Sequence, residues 1–223
     1  MMGKTHLAVG GCAGLTVALV YQTPPATSLA IIAGSVFGAL MPDLDATGST
    51  GAHWIVRAAP LAGIAFFLLG PASATIGSRP GVIVSLEERA AQAFLVTVAV
   101  VLFPIVMGIF LPHRGPTHSI LVWALFLIIA VVWMPPGLPR AITAAVCIGS
   151  IIGGILPDAA TRSGVPALWP FYKERVHILP AEWRLRTGSL LELLVIRPAV
   201  YLLMIYLTAQ LVSGIFHHRL PRI

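Results

Sequence analysis

The sequence predicts an all-α protein, a polytopic transmembrane helical bundle of about seven spans with an internal two-helix repeat. The first reason is composition: 57% of the 223 residues are hydrophobic and 10% are charged, whereas a soluble domain carries roughly a quarter charged residues. The second is a series of long charge-free runs, and the third is a pair of matching segments far apart in the chain. The alternative, a soluble helical protein with an apolar core, rarely repeats charge-free runs of this length.

The charge-free runs set the number of spans, because a helix needs about 20 apolar residues to cross the hydrocarbon of a bilayer. The run from Leu7 to Pro42 is long enough for two crossings, with a turn at 21–25. The runs are continuous rather than alternating, which favours helices over barrel strands. We predict one integral membrane domain over 1–223, with spans at 7–22, 27–42, 57–76, 91–111, 118–135, 140–156 and 194–216.

Two segments, 34–43 and 149–158, align without a gap and share the pattern Gly-Ser-x-x-Gly-x-x-x-Pro-Asp. A Thr-His pair precedes each segment, which gives repeat units of approximately 3–45 and 115–161. Each unit reads Thr-His, span, turn, span, Pro-Asp, and sites in duplicated membrane proteins tend to lie where repeats meet. Glycines four residues apart predict close helix packing in both segments, at Gly34, Gly38, Gly149 and Gly153. Cys12 and Cys147 lie in apolar runs and are predicted to be packing residues.

Topology predicts that both units present their polar motifs on one membrane face. Thr-His precedes a hairpin and Pro-Asp follows it, and two spans, 57–76 and 91–111, separate the units. An even number of crossings returns the chain to the same face, whereas a failure of 57–76 to cross would separate the motif sets. The excess of Lys and Arg on the motif face predicts that it is cytoplasmic. We expect the first span to be retained rather than cleaved as a signal peptide, because His6 belongs to the repeat.

Every aspartate of the chain lies at a Pro-Asp position or two residues beyond it, and His6 and His118 lie at the equivalent ends of neighbouring helices. Ionised carboxylates at the end of an apolar helix are costly unless they are paired or bind a cation. Imidazole with carboxylate suits zinc, iron or manganese, and carboxylate-rich sites also suit magnesium. We predict a divalent metal ion (zinc, manganese or magnesium) held by His6, Asp43, Asp45, His118 and Asp158. The alternative is that these residues only begin turns and cap helices.

Two further clusters supply candidate catalytic and substrate-binding residues. In the connection 112–118, His113 is a further ligand or a general acid/base, Arg114 clamps an anionic oxygen or anchors the chain at the membrane, and Thr117 offers a hydroxyl. The loop from Asp158 to Glu192 adds Thr161 and Arg175 as substrate-binding candidates.

Glu192 needs a partner just inside the last apolar run, which leaves open a ligand role or a salt bridge to Arg197 or Arg186. We predict catalytic roles for His113, Arg114 and Glu192.

These residues resemble the YdjM-like family of bacterial inner-membrane proteins, which is described as LexA-regulated, membrane-bound and metal-dependent hydrolases. The matching pieces are Gly3-Lys4-Thr5-His6, Pro42-Asp43-Leu44-Asp45, His113 to Ser119, Asp158 to Thr161, Gly164 to Pro170, and Gly188 with Glu192. Ala46 and Gly154 stand where family members often carry His. The resemblance implies a metal-dependent hydrolase in the bacterial inner (cytoplasmic) membrane.

The predicted function is a membrane-bound, metal-dependent hydrolase at the cytoplasmic interface, acting on a phospholipid or a lipid-linked ester. Membrane lipids are then the partners, and no nucleic acid is expected. A transporter or channel is one alternative, but it predicts polar residues along the spans, and few lie at mid-depth. A membrane scaffold with a structural metal is the other.

Overall fold

A computed structural model of the chain describes residues 3–45, 95–107 except 101 and 105, and 115–219. Within these ranges the backbone is helical apart from turns and one irregular loop, and it contains no β-strand. The all-α prediction is therefore confirmed. The predicted span 57–76 and much of 91–111 lie outside the described residues, so the number of seven spans and the internal repeat stay predictions.

The first two helices form the hairpin that the sequence predicts. Helix α1 covers Gly3–Val20 and helix α2 covers Pro25–Leu40, and the intervening turn coincides with the predicted one. Pro25 fits the first turn of α2, where a missing backbone N–H costs no hydrogen bond. The chain then tightens into a 3₁₀ turn, Met41–Asp45, which carries the first Pro-Asp motif beyond the end of α2.

The later part of the chain contributes three helices and a long loop. A 3₁₀ turn, Pro116–His118, precedes helix α3 at Ile120–Trp133. Helix α4 spans Leu138–Ala159 and is π-helical at Gly149–Ile155, with α-helical turns on both sides. Helix α5 is helical from residue 190, is π-helical at Glu192–Ile196 and continues as an α-helix through Arg197–Arg219.

Four of the described helices are long and apolar enough to cross a membrane: Gly3–Val20, Pro25–Asp43, Leu138–Ala159 and Glu192–Ile215. They correspond to the predicted spans 7–22, 27–42, 140–156 and 194–216. Helix α3, predicted as the span 118–135, has 14 residues, fewer than the roughly 20 that a crossing needs. Large apolar side chains such as Leu29 and Leu202 are exposed, as expected where lipid replaces water as the solvent.

The helices approach closely at glycines. A Cβ atom on Gly38 would overlap the backbone of Val146 in α4, and one on Gly149 would overlap the backbone of Ser35 in α2. Close helix packing through small residues is a common solution in lipid, where the hydrophobic effect does not drive helices together. The predicted packing role of the glycines is confirmed, because Gly34 and Gly153 also face neighbouring helices.

The core lies where α3, α4 and the helical backbone at 95–100 meet. Trp123 is fully buried, and its ring makes an edge contact with Phe103 and a tilted one with Phe126. Cys147 belongs to the same cluster, and Cys12 is buried in α1. Both thiols are free, which confirms that they are packing residues.

Candidate metal centre

Four polar side chains from four different elements converge at one end of the helices. His6 comes from the start of α1, Asp43 from the turn after α2, His118 from the turn before α3, and Asp158 from the last turn of α4. His6 Nε2 lies 3.3 Å from Asp158 Oδ1. His118 Nε2 lies 3.7 Å from Asp158 Oδ2 and 3.7 Å from Asp43 Oδ1. The Thr-His and Pro-Asp motifs of both predicted units therefore meet in one site.

The four side chains differ in their exposure to solvent. The side chains of His6, His118 and Asp158 are buried, whereas the side chain of Asp43 is 37% exposed. Asp158 is therefore the buried acid of the group and contacts both imidazoles, whereas Asp43 is its more exposed acid.

The ring of His6 is oriented by a carbonyl group on another helix. Its Nδ1 lies 2.7 Å from the carbonyl oxygen of Gly153 in α4. A carbonyl only accepts hydrogen bonds, so Nδ1 is the donor and Nε2 is directed towards Asp158. That Nε2 atom is buried and makes no hydrogen bond within the described part of the chain. This is the arrangement found at metal-binding histidines, whose second ring nitrogen donates to a carbonyl or carboxylate.

The π-helical stretch of α4 and a close helix contact explain how Gly153 reaches His6. The wider turn of a π-helix shifts the backbone hydrogen-bond register, and such turns are frequent at functional sites. Gly153 also faces Gly10, one turn beyond His6 on α1, and a Cβ built on Gly153 would lie 2.9 Å from the Gly10 Cα. The absence of side chains at both positions lets α1 and α4 come close enough for the His6–Gly153 hydrogen bond.

The turn that carries His118 is anchored by buried hydrogen bonds. Trp123 donates its indole N–H to the carbonyl oxygen of Thr117 at 2.7 Å. Ser119 donates its hydroxyl to the carbonyl oxygen of Trp169 at 2.8 Å. Thr117 Oγ1 lies 3.2 Å from His118 Nδ1, so the other ring nitrogen of His118 faces Asp43 and Asp158. Sequence reasoning missed the contribution of Trp123, which is only one more aromatic residue in an apolar run.

The donor set and its spacing fit a divalent cation. Asp43, His118 and Asp158 each offer one ligand atom, and these atoms lie within 4.8 Å of one another. A direct charge-assisted hydrogen bond between His and Asp would be about 2.7–2.9 Å long. Two ligands of one tetrahedral metal ion, each about 2.0–2.2 Å from it, are about 3.3–3.6 Å apart. The observed separations of 3.3 and 3.7 Å are close to this ligand–ligand spacing, and Asp43, His118 and Asp158 could hold such an ion.

Comparison with known protein families shows to which family the chain belongs. A family model described as YdjM inner membrane protein matches residues 1–219. The chain belongs to the YdjM inner membrane protein family. That description and the apolar helices identify a membrane protein. No curated protein and no solved structure is significantly similar to the chain.

The other predicted site residues of this YdjM-family chain take different positions. Asp45 ends the 3₁₀ turn that carries Asp43, and its ligand role stays a prediction. His113 and Arg114 lie outside the described residues. Thr161 is buried and donates its hydroxyl to the carbonyl oxygen of Asp158 at 2.7 Å. Arg175 is exposed and donates to the carbonyl oxygen of Ser163 at 2.9 Å.

Glu192 lies in a separate buried polar cluster. It is fully buried, and its Oε1 accepts a hydrogen bond from the Thr5 hydroxyl at 2.8 Å. Its Oε2 accepts one from the backbone N–H of Gly188 at 2.8 Å. The catalytic role of Glu192 stays a prediction. Sequence reasoning did not find the link to Thr5, because no local pattern connects residues 187 positions apart.

Proposed function

We propose that this YdjM-family chain is a multi-pass protein of the bacterial inner membrane and a metal-dependent hydrolase of a phospholipid or lipid-linked ester at the cytoplasmic interface. The observation that carries the proposal is the convergence of His6, Asp43, His118 and Asp158. These side chains bring together two imidazoles and two carboxylates, the donor types that zinc and manganese bind in proteins.

The ligand chemistry narrows the choice of metal. Magnesium takes oxygen ligands and keeps several waters, so two imidazoles make it a poor fit. Zinc and manganese accept mixed imidazole and carboxylate ligands. We therefore propose zinc or manganese, with His6 Nε2 and His118 Nε2 as the nitrogen ligands.

The exposure of the site residues indicates from which side a substrate would reach the metal ion. A divalent cation in this pocket supplies Lewis acidity, which polarises an ester or phosphoryl oxygen and makes water a stronger acid. Substrate approaches from the side of Asp43, the one exposed member of the group. His113 and Arg114 directly precede Gly115, where the described chain resumes before His118. In this proposal His113 moves the proton and Arg114 holds an anionic group.

The loop after α4 supports a lipid substrate with an anionic head group. Isolated bridges between Thr161 and Leu185 and between Val165 and Val176 bring three parts of the loop together. Thr161 is hydrogen-bonded to Asp158, so this loop adjoins the metal centre. Trp183 is exposed, as is typical of residues in the interface of a bilayer. The loop is basic and would attract anionic head groups through Arg162, Lys173, Arg175, Arg184 and Arg186.

The test begins with the full-length chain purified in detergent. Metal content is measured by plasma mass spectrometry, and turnover is measured on a panel of phospholipids, lipid phosphates and lipid-linked esters. We expect about one zinc or manganese ion per chain, with both metal and turnover lost in Asp158→Asn. Glu182→Gln, which changes an exposed acid in the loop, serves as the matched control and retains both.

Each alternative function gives a different result in the same experiments. Ion flux through liposomes that does not depend on metal would support a transporter or channel and contradict the proposal. A tight metal whose removal unfolds the bundle, with no turnover on the whole panel, would support a scaffold with a structural metal.

A further inference from the structure

We infer that Glu192 is a positioning residue that acts through Thr5 to hold α1 in the register at which His6 reaches the metal centre. This inference rests on the metal centre of the proposed function and adds a residue that does not contact it. The juxtaposition that carries it is a fully buried carboxylate on α5 bonded to the neighbour of a metal-ligand candidate on α1.

The hydrogen bonds form a continuous chain across two helices. Arg197 Nε lies 3.4 Å from Thr5 Oγ1 and donates to it. The Thr5 hydroxyl donates onward to Glu192 Oε1 at 2.8 Å, so it acts as donor and acceptor at once. Glu192 Oε2 accepts from Gly188 N–H. Thr5 and Glu192 are both fully buried, and the cluster therefore couples the start of α5 to the start of α1.

Near its N-terminus, helix α1 is hydrogen-bonded to other helices on two faces. Successive residues of an α-helix are about 100° apart around its axis, so Thr5 and His6 point to different neighbours. Thr5 bonds to α5 through Glu192, and His6 bonds to α4 through the carbonyl group of Gly153. These two bonds lie on different faces of α1 and add to its packing against α2, so loss of the Thr5 bond would release one of the contacts that set the position of His6.

Capping of helix α5 is a simpler role for Glu192, and the structure contains one of the two hydrogen bonds of a capping box. Ser189 and Glu192 have the spacing of a capping box, and the Glu192 N–H donates to Ser189 Oγ at 3.3 Å. A capping glutamate bonds only to backbone groups at the start of its own helix, as Glu192 does with the Gly188 N–H. Capping does not require the carboxylate to be buried. The second oxygen, Oε1, bonds to another helix. Burial of a carboxyl group in an apolar helix is costly, so its position at this contact between helices points to a specific geometric task.

Thr5 offers the sharpest test, because changing it leaves the cap of α5 intact. Thr5→Val removes the hydroxyl at constant shape, and Thr5→Ser is the matched control that keeps the hydroxyl. Zinc is titrated calorimetrically into the metal-stripped, full-length chain in detergent, and the absorption spectrum of added cobalt reports the ligand geometry. The melting temperature of the metal-free protein is measured alongside, because a purely structural role would lower it without changing the Kd for zinc.

We expect Thr5→Val to weaken zinc affinity about 10- to 100-fold, the loss typical of residues that orient a metal ligand. Its cobalt spectrum should shift towards that of His6→Ala, while Thr5→Ser binds zinc like the wild type. A folded Thr5→Val protein with wild-type zinc affinity and cobalt spectrum would overturn the inference and leave the proposed function standing. If Thr5→Val does not fold, Thr5→Ala takes its place, because it also removes the hydroxyl and leaves Glu192 and its bond from Gly188 intact; the expected loss and the overturning result are the same. A wild-type chain that binds neither zinc nor cobalt would overturn the proposed function, and the inference with it.

Discussion

The two Pro-Asp motifs occupy matching positions in the sequence but unequal positions in the candidate metal centre. The side chain of Asp158 is 5% exposed and contacts both imidazoles, whereas that of Asp43 is 37% exposed and contacts His118. Helix α2 gives way to a 3₁₀ turn before Asp43, whereas α4 widens into a π-helix and returns to α-helical geometry before Asp158. Similar sequences therefore place one acid in a buried position and the other in a more exposed one.

The two histidines differ in a complementary way. His6 is oriented by Gly153, a residue of another helix and 147 positions away. His118 is oriented locally, by Thr117 beside it and by the Trp123 bond to the same turn. The first imidazole thus depends on how α1 packs against α4, and the second depends on the fold of its own turn.

Substitution of the two aspartates should give the largest effect. Asp158→Asn removes the carboxylate shared by both imidazoles, so we expect metal affinity to fall by more than the roughly 100-fold loss seen for orienting residues. Asp43→Asn should cost about 10-fold, because an exposed position lets water replace the lost ligand. Calorimetric titration with zinc measures both, and equal losses would show that the two acids are equivalent.

Substitution of Gly153 should disturb the orientation of His6 but not that of His118. Gly153→Ala places a methyl group against Gly10 and Ala39, which pushes α1 away from the carbonyl that orients His6. Overpacking of this kind typically costs about 1–3 kcal/mol of stability. We also expect a loss of about tenfold in zinc affinity.

Gly214→Ala is the control, because nothing lies near that position on α5, and alanine should stabilise the helix by up to about 1 kcal/mol. Thermal unfolding in detergent reports the stability, and a Gly153→Ala protein as stable as wild type would contradict the close α1–α4 contact.

Substitution of Trp123 should have a smaller and local effect. Trp123→Phe keeps an aromatic ring in the core but removes the indole N–H that donates to Thr117. The loss of one buried hydrogen bond is worth about 1 kcal/mol, equivalent to about a fivefold weakening of zinc affinity if the His118 turn loosens. The cobalt spectrum should change while the His6–Gly153 contact is retained. An unchanged affinity would show that Thr117 and Ser119 hold the turn without the indole.

Substitution of Arg175 should leave the metal centre unchanged. This exposed residue bonds to the backbone of Ser163 and has no contact with the four converging side chains among the described residues. Arg175→Gln should keep wild-type zinc affinity and weaken association with anionic lipids by about 1 kcal/mol, the usual contribution of one basic residue near a charged membrane. Nanodiscs with and without anionic phospholipid provide the measurement. A loss of zinc binding would place Arg175 in the centre itself.

Composition and run length were sufficient to predict the helical class, because both report directly on the solvent around the helices. The matching Pro-Asp segments also pointed to residues that meet in space, since Asp43, His118 and Asp158 lie together. The π-helical part of α4 was not predictable, because Gly34–Leu40 has a similar sequence and is α-helical. The partners of His6 and Glu192 depend on packing between distant helices, which no local pattern encodes.

The most direct test of the central claim is X-ray absorption of the zinc-loaded chain, with the number of imidazoles bound per zinc as the readout. The account predicts nitrogen and oxygen ligands at about 2.0–2.2 Å with two imidazoles in the wild type. It predicts one imidazole in His6→Ala and one in His118→Ala. A sulfur ligand, or an imidazole count that His6→Ala leaves unchanged, would contradict a metal centre shared between α1 and the turn before α3.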